Sequence, residues 1–395
     1  MVKLIKLREL CSAIVDCPHT TPNWLSTGTV VLRNFNLVNG FIDMTEPYFV
    51  DEKTYVERTR RMVPKEGDIV FSREAPVGNC AIIPPNFKCC LGQRLVLLRP
   101  NRSLCSPEYL LAMLNSSAVR NQIEQVEKTG STVSNFNIGD LRDLQIPYVE
   151  DPHVRERITL VYSSLMRRVD NNNKIRHELN NVLEKTFQYW FLQYNFPNEN
   201  DLPYANEGGQ MHFDDRVVGA FPASWSVGTI GSILKEKKKS TIQVNQVQLK
   251  PGTVPFFTSG DEVLRYADKF VDGLNIFMST GGNFVIKAFM GPAHYSTDTW
   301  CVHGNQYSAF LYLFLKKNQQ RINDYFFAGS GLKHLQKDQL KEIFLPIPDL
   351  PTISLFNKIA MPLIQKVSGI MEENYELLKM RDYLLPLLIS GQLEV

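Results

Sequence analysis

The sequence predicts an α+β protein with an internal pseudo-two-fold repeat. Two mixed α/β, β-rich domains are each followed by a long helix, and the two helices pair as an antiparallel coiled coil. Three observations predict this: a short segment that recurs without gaps in the second half, a looser recurrence of strand-forming runs upstream of it, and two long apolar seams of heptad spacing. The expected boundaries are a first globular domain over 1–150, a central helix over 151–195, a linker over 196–219, a second globular domain over 220–350 and a C-terminal helix over 351–395.

The gapless recurrence aligns Gly130-Ser131-Thr132-Val133 with Gly329-Ser330-Gly331-Leu332. It continues with Phe136 opposite Leu335, Leu141 opposite Leu340, Arg142-Asp143 opposite Lys341-Glu342, Leu144 opposite Ile343, Ile146 opposite Leu345 and Pro147 opposite Pro346. Size, charge and punctuation agree throughout. Upstream, Asp68-Ile69-Val70-Phe71-Ser72 matches Asn275-Ile276-Phe277-Met278-Ser279, and each run leads into a turn, at Gly78 and at Gly281-Gly282. The apolar runs 80–83 and 95–98 in the first half, and 284–289 and 309–315 in the second, are bounded by Pro, Gly and Asn and read as strands.

The helices are read from spacing that alternates three and four residues. The first seam is Ile158, Val161, Leu165, Arg168, Asn172, Ile175, Leu179, Val182, Thr186 and Tyr189. The second is Ala360, Leu363, Val367, Ile370, Asn374, Leu377, Arg381, Leu384 and Leu388. Asn172 and Asn374 take the same heptad position, where a polar residue costs stability and specifies register. An antiparallel pair need not bring the two into contact. The segment 196–219, rich in Asn, Pro and Gly, reads as the linker.

Composition bounds the function without naming it. The chain has 395 residues, 44% hydrophobic and 21% charged, with a formal net charge of +2. So small a charge neither demands nor excludes a nucleic-acid partner, since a binding face can be locally basic. The seven cysteines (Cys11, Cys17, Cys80, Cys89, Cys90, Cys105 and Cys301) form no C-x-x-C pair. They read as reduced, mostly buried thiols; Cys11, Cys17, Cys80 and Cys89 lack zinc-finger spacing, and no metal site is assigned. No leader and no apolar run of membrane-spanning length is evident, so a cytoplasmic protein without membrane contact is expected.

No catalytic residue is assigned either. The chain has no G-x-x-x-x-G-K-[ST] loop and no G-x-G-x-x-G. Ile83-Pro84-Pro85-Asn86-Phe87 has the wrong order for the Asn-Pro-Pro-aromatic segment of amino-methyltransferases. Glu236-Lys237-Lys238 has the E-x-K pattern of some nucleases, but it lies in a lysine run that reads as a solvated face. A long duplicated chain without chemistry points to binding.

Two features suit DNA. Polar and basic residues follow or precede strands at Arg33-Asn34, Arg73-Glu74 and Gln93-Arg94. In the second half, Ser259 and the Ser279 to Asn283 turn occupy comparable places. Arg pairs with guanine, and Asn or Gln with adenine, in direct readout; ordinary turn chemistry is the alternative for each residue taken singly. The second feature is a Gly-Ser loop ahead of a short helix in both halves, Thr129-Gly130-Ser131 and Gly329-Ser330 with Lys333 downstream. Such a loop presents backbone N–H groups and a hydroxyl to a phosphate.

At this point the sequence resembles a known family over essentially its full length, the specificity subunits of Type I restriction-modification enzymes. Asp68-Ile69-Val70-Phe71-Ser72-Arg73-Glu74-Ala75-Pro76-Val77-Gly78 is similar to that family's strand-turn segment within a target recognition domain. Lys185-Thr186-Phe187-Gln188-Tyr189-Trp190-Phe191 resembles the end of its central helix, and Leu384-Leu385-Pro386-Leu387-Leu388-Ile389-Ser390-Gly391-Gln392-Leu393 its C-terminal ending. The second domain departs from the first, with Ser279-Thr280-Gly281-Gly282 where the first has Ser72-Arg73-Glu74-Ala75. The resemblance implies a non-catalytic subunit that reads a bipartite, asymmetric target in double-stranded DNA. It implies docking of two methyltransferase subunits and two restriction motor-nuclease subunits. S-adenosylmethionine, ATP and Mg would belong to those partners, and this chain would hold no cofactor. The alternative of another class is a two-module protein scaffold that does not bind DNA.

Overall fold

The computed structural model describes residues 2–74, 76–129, 136–329, 331 and 333–393. The chain divides into two units, Met1–Asn173 with Glu373–Val395, and Lys174–Glu372. Each unit therefore holds one globular domain and a portion of both long helices, Pro152–Phe187 (36 residues) and Leu350–Ser390 (41 residues).

In the first unit, strand Val2–Lys6 pairs antiparallel with Gln145–Val149, so the start and end of the globular domain meet. A four-stranded antiparallel sheet follows the order Cys11–Asp16, Leu95–Pro100, Ile69–Ser72, Cys80–Ile82. A three-stranded sheet has Thr29–Leu32 in its centre, antiparallel to Tyr48–Val50 and parallel to Cys89–Leu91. The continuous apolar runs are explained by what lies on each side of the four-stranded sheet. Ile69, Phe71, Val96 and Leu98 face one core, which includes Ile158, Tyr162, Leu385 and Leu388 of the long helices. Val70, Leu95, Leu97 and Ala81 face another, shared with Leu32 and Leu91 of the three-stranded sheet. Alternate side chains point to opposite faces, and with both faces covered every position is apolar.

The second unit repeats this plan. Ser226–Thr229 pairs with Phe344–Ile347. The four-stranded order is Lys235–Glu236, Thr299–His303, Leu274–Ser279, Ile286–Met290. Val254–Phe257 lies antiparallel to Val263–Tyr266 and parallel to His294–Tyr295. Ile276, Met278, Trp300 and Val302 face the core that contains Phe187, Ile353, Phe356 and Ala360 of the helices, and Phe277 and Cys301 face the opposite cluster.

The two helices run antiparallel within each unit. In the first, Ile158, Tyr162, Met166 and Val169 share a core with Leu385 and Leu388, while Asn172 meets Asn374. In the second, Leu183, Phe187 and Trp190 share a core with Ile353 and Phe356; the Trp190 and Phe356 rings lie 5.7 Å apart.

Three details differ from the sequence expectation. The run 309–315 is not a strand but part of helix Ser308–Lys317, and the strand of that region is Thr299–His303. Ala309 to Leu313 are all buried, so this helix has no polar face to reveal its period. In the central helix the seam holds at Ile158 and Asn172, but between them Tyr162, Met166 and Val169 are buried in place of Val161, Leu165 and Arg168, and beyond them the buried positions again lie one residue on. Ile175, Val182 and Tyr189 are exposed, and Leu183, Phe187 and Trp190 are buried. A straight helix of 3.6 residues per turn drifts against a 3.5-residue repeat, and this half packs on the globular core as well as on the other helix. Finally, residues 196–219 pack onto the second unit: Phe196 is buried, its ring stacked on Trp225 at 5.4 Å, and Met211–Asp214 pairs with Gly219–Pro222.

Candidate nucleic-acid interface

The sequence-selected residues of the first domain meet at one corner, where three strands end. The backbone N–H of Gly92 donates to Leu32 O at 2.7 Å, which sets Gln93 beside Arg33. Arg73 N donates to Arg94 O at 2.9 Å. Asn34 Nδ2 donates to Glu74 O at 3.4 Å, and Arg94 Nε pairs with Glu74 Oε2 at 3.1 Å. Gln93 Oε1 accepts from Thr21 Oγ1 at 3.3 Å. Arg94 adopts a left-handed φ of 77°, uncommon for a side chain of its size.

The arginines at this corner are not equivalent. Arg73 is buried; its guanidinium donates to both carboxylate oxygens of Asp16 at 3.0 and 3.1 Å and to Phe136 O at 2.8 Å. It therefore ties strands together beneath the surface. Arg33 is half-buried among aromatic rings, 5.5 Å from Trp24, 4.8 Å from Phe35 and 4.6 Å from Tyr48. Sequence reasoning missed these three rings, because Trp24 and Tyr48 are remote from Arg33 in the chain. Arg58, also missed, donates to the carbonyls of Leu91, Thr20 and Pro18 and anchors the loop that carries Trp24.

The second domain has the same corner with different chemistry. Ser296 N donates to Phe257 O, as Gly92 does to Leu32, and Thr280 N donates to Asp298 O, as Arg73 does to Arg94. These bonds make Thr258 the counterpart of Arg33, Thr280 of Arg73, and Thr297-Asp298 of Gln93-Arg94. Ser279 is buried; its hydroxyl donates to Asn283 O at 2.7 Å and accepts from Val285 N at 2.9 Å, so it shapes the turn. Ser259 is half-buried, and Asn283, Gly329 and Lys333 are exposed, with Lys333 O accepting from Gly282 N. Gly78 and Gly282 hold left-handed φ values of 84° and 76° in the two turns, which a side chain would strain. Beside Thr297-Asp298 opens a cavity of about 960 Å³ lined by Gln243, Asn245, Gln248, Glu262 and Arg265 among others. Its amides stand in a Gln- and Asn-rich run, the one sequence signal that would have revealed it.

Gly130, Ser131 and Ser330 lie outside the described residues, and Thr129 is described only as the last backbone position of helix Ser117–Thr129. The other half of the repeat aligns as read: Phe136, Leu141 and Ile146 are buried, as are Leu335, Leu340 and Leu345.

The E-x-K acid is committed elsewhere. Glu236 accepts from Trp300 Nε1 at 2.9 Å and pairs with Lys341 at 2.5 Å. Burial opposes its charged form, but the Lys341 and Trp300 bonds outweigh that and hold the carboxyl below its usual range. Burial pushes the Cys11, Cys89 and Cys301 thiols up to about 12, which keeps them protonated. No cluster of metal-ligating side chains occurs among the described residues, and no helix among them is long and apolar enough to cross a membrane.

The duplicated corner has a counterpart in family comparison. The model of the Type I restriction modification DNA specificity domain matches twice, over residues 25–185 and 222–371. The chain belongs to the Type I restriction-modification DNA specificity family. The first match takes in most of one globular domain and nearly all of the helix after it; the second takes in the other domain and the first half of its helix. As a specificity subunit the chain is non-catalytic. The Type I restriction enzyme MjaIX specificity subunit of Methanocaldococcus jannaschii is 24% identical over 371 residues, 88% of this chain and 82% of the relative. A putative MjaX specificity subunit of the same organism is 22% identical over 418 residues, 99% of this chain and 93% of the relative. The crystal structure of a Type I restriction-modification S subunit from M. genitalium superposes with a TM-score of 0.55 at 18% identity, covering 98% of this chain and 96% of that one. That specificity subunit shares the fold.

Proposed function

We propose that this specificity subunit reads a bipartite, asymmetric target in double-stranded DNA, one half-site per recognition domain, with domains at 1–150 and 220–350. The observation that carries the reading is a framework whose strand order and two corner bonds repeat while the corner residues diverge. Arg33, Gln93 and Arg94 in one domain stand where Thr258, Thr297 and Asp298 stand in the other. Two copies of one base-reading surface would be expected to match; two different surfaces suit two different half-sites. Arg33, Asn34, Glu74, Gln93 and Arg94 form the first reading face, and Ser259, Asn283, Gly329 and Lys333 with the amide-lined cavity form the second. Arg73 and Ser279 position these faces from beneath. The loops at Thr129-Gly130-Ser131 and Gly329-Ser330 take backbone phosphates.

The helices, 151–195 and 351–395, with 196–219 as the connecting segment, hold two methyltransferase and two restriction subunits. Apolar side chains left exposed on them, such as Leu160, Val182, Leu355 and Tyr383, support a docking role. S-adenosylmethionine, ATP and Mg act in those partners, and the assembly works on cytoplasmic DNA.

The test is a domain exchange. Replacing residues 220–350 with the equivalent domain of a relative, with the methyltransferase partner present, should change one half of the methylated motif and leave the other. A change in both halves would sink the two-module reading. Duplex affinity should also fall linearly in log–log dependence on salt; a salt-insensitive chain that binds only proteins would favour the scaffold alternative.

A further inference from the structure

We propose that Arg33 reads the O6/N7 edge of a guanine in the half-site taken by the first domain, and that Trp24, Phe35 and Tyr48 preset its guanidinium for that contact. This rests on the DNA reading above and names one base chemistry within it.

The first ground is a contrast among arginines. A guanidinium has five N–H donors and no acceptor. Arg58 donates to three carbonyls, Arg73 to Asp16 and Phe136 O, Arg94 pairs with Glu74, and Arg99 grips both oxygens of Asp68 at 2.8 and 2.7 Å. Arg33 alone of these five has no hydrogen-bond acceptor for its guanidinium among the described residues. Its surroundings are rings: Tyr48 lies 4.9 Å from Trp24 and 5.8 Å from Phe35, and all three lie within 5.5 Å of the Arg33 guanidinium carbon.

The second ground is energetic. Rings stabilise a cation through its charge, and they leave the N–H groups unmade. No Arg33 nitrogen is both buried and unpaired, so water meets these N–H groups in the free chain and a base edge takes its place on binding. Guanine presents two acceptors spaced for one guanidinium edge. Holding the side chain in place beforehand removes most of the entropy that binding would otherwise cost.

The third ground separates base from phosphate. Both half-sites carry the same phosphates, so a phosphate contact would be kept in both copies of the framework. The counterpart of Arg33 is the uncharged Thr258, whose hydroxyl donates to Glu262 O at 2.7 Å. Divergence at this position is what a base reader requires.

The experiment maps methylated positions in cells carrying the full chain with its methyltransferase partner, for wild type, Arg33→Lys, Arg33→Ala and Tyr48→Leu. The domain exchange identifies which half belongs to the first domain. Arg33→Lys keeps the charge that the rings hold but loses the bidentate edge. It should fold with nearly the wild-type Tm and lose discrimination for one guanine by about 10- to 100-fold, with the other half unchanged. Tyr48→Leu should relax the same position by less. An unaltered motif in Arg33→Lys would mean that the rings need only a cation, and the proposal fails. Uniform weakening in Arg33→Ala, with a salt slope lower by about one, would make Arg33 a phosphate contact and also overturn it. A wild-type chain that directs no two-part methylation would instead overturn the DNA reading itself.

Discussion

Asn172 and Asn374 carry the strongest residue-scale consequence of the fold. Both are buried; Asn172 Nδ2 donates to Asn374 Oδ1 at 2.9 Å, and Asn374 Nδ2 donates to Asn173 Oδ1 at 3.0 Å. Asn374 accepts from Asn172 and donates to Asn173, so removing Asn374 strands the buried Asn172 donor. Asn374→Leu should destabilise the chain by about 1–3 kcal/mol, the penalty for a buried polar group left unpaired. The double variant Asn172→Leu/Asn374→Leu should recover much of that loss, because the buried Asn172 donor is gone and the oxygen left over belongs to the partly exposed Asn173. Urea unfolding of the two single variants and the double closes the cycle. Additive losses would show that the two amides are not coupled. Arg73 is set apart by burial: its Nε and Nη1 are committed to Phe136 and Asp16 beneath the surface, whereas the guanidinium of its neighbour Arg33 is half-exposed.

At the scale of elements, the loop after strand Val254–Phe257 is held by one lysine on strand Ile286–Met290. Lys287 Nζ donates to Thr258 O at 2.9 Å and to Gly260 O. Burial lowers its pKa from 10.5 to about 8, and Asp261 and Glu262 nearby only partly oppose this. The folded chain therefore binds fewer protons than the unfolded chain between about pH 8 and about pH 10.5, and stability rises with pH across that window. Below about pH 8 the full penalty for the buried charge is present. Lys287→Met should remove this contribution. The stability of wild type relative to that variant should increase from about pH 8 toward pH 10, measured by denaturant unfolding. A flat difference would show that the ammonium is better solvated than its surroundings indicate. Strands Ile69–Ser72 and Leu274–Ser279 illustrate how the framework tolerates exchange: buried Asp68, just before the first, is bonded by Arg99, while its counterpart Asn275 donates to Asp272 O and Gly273 O instead.

At the scale of the whole molecule, the helices invite a test of spacing. With 36 and 41 residues they measure about 54 and about 62 Å at 1.5 Å per residue. Half-sites read from one face of a duplex lie roughly 34–36 Å apart, one helical turn, or a multiple of it. If the helices set that distance, a heptad added near Asn172 with a matching heptad near Asn374 should lengthen the unread spacer. Both half-sites should stay the same, since the corners proposed to read them are untouched. Methylome mapping that returned the original spacer at normal efficiency would remove the helices from that role.

What the sequence by itself determined was the repeat and its periods. Core positions such as Ile146 and Leu345, or Ile69 and Ile276, are constrained by size and alternation, and these constraints are local enough to read along a chain. The heptad phase was legible where helix packs on helix, at Asn172 and Asn374, and was off by one residue on either side, at Tyr162 and Met166 and at Leu183 and Phe187, where a globular core that the sequence does not display packs on the helix as well. The buried helix Ser308–Lys317 was misread for a related reason: with every side covered, hydrophobicity carries no period. The site was legible as a set of loop residues and not as roles. Whether Arg73 or Arg33 keeps a free edge depends on Asp16, Phe136, Trp24 and Tyr48, and only the tertiary structure brings those together, because strand pairing joins residues that are far apart in sequence.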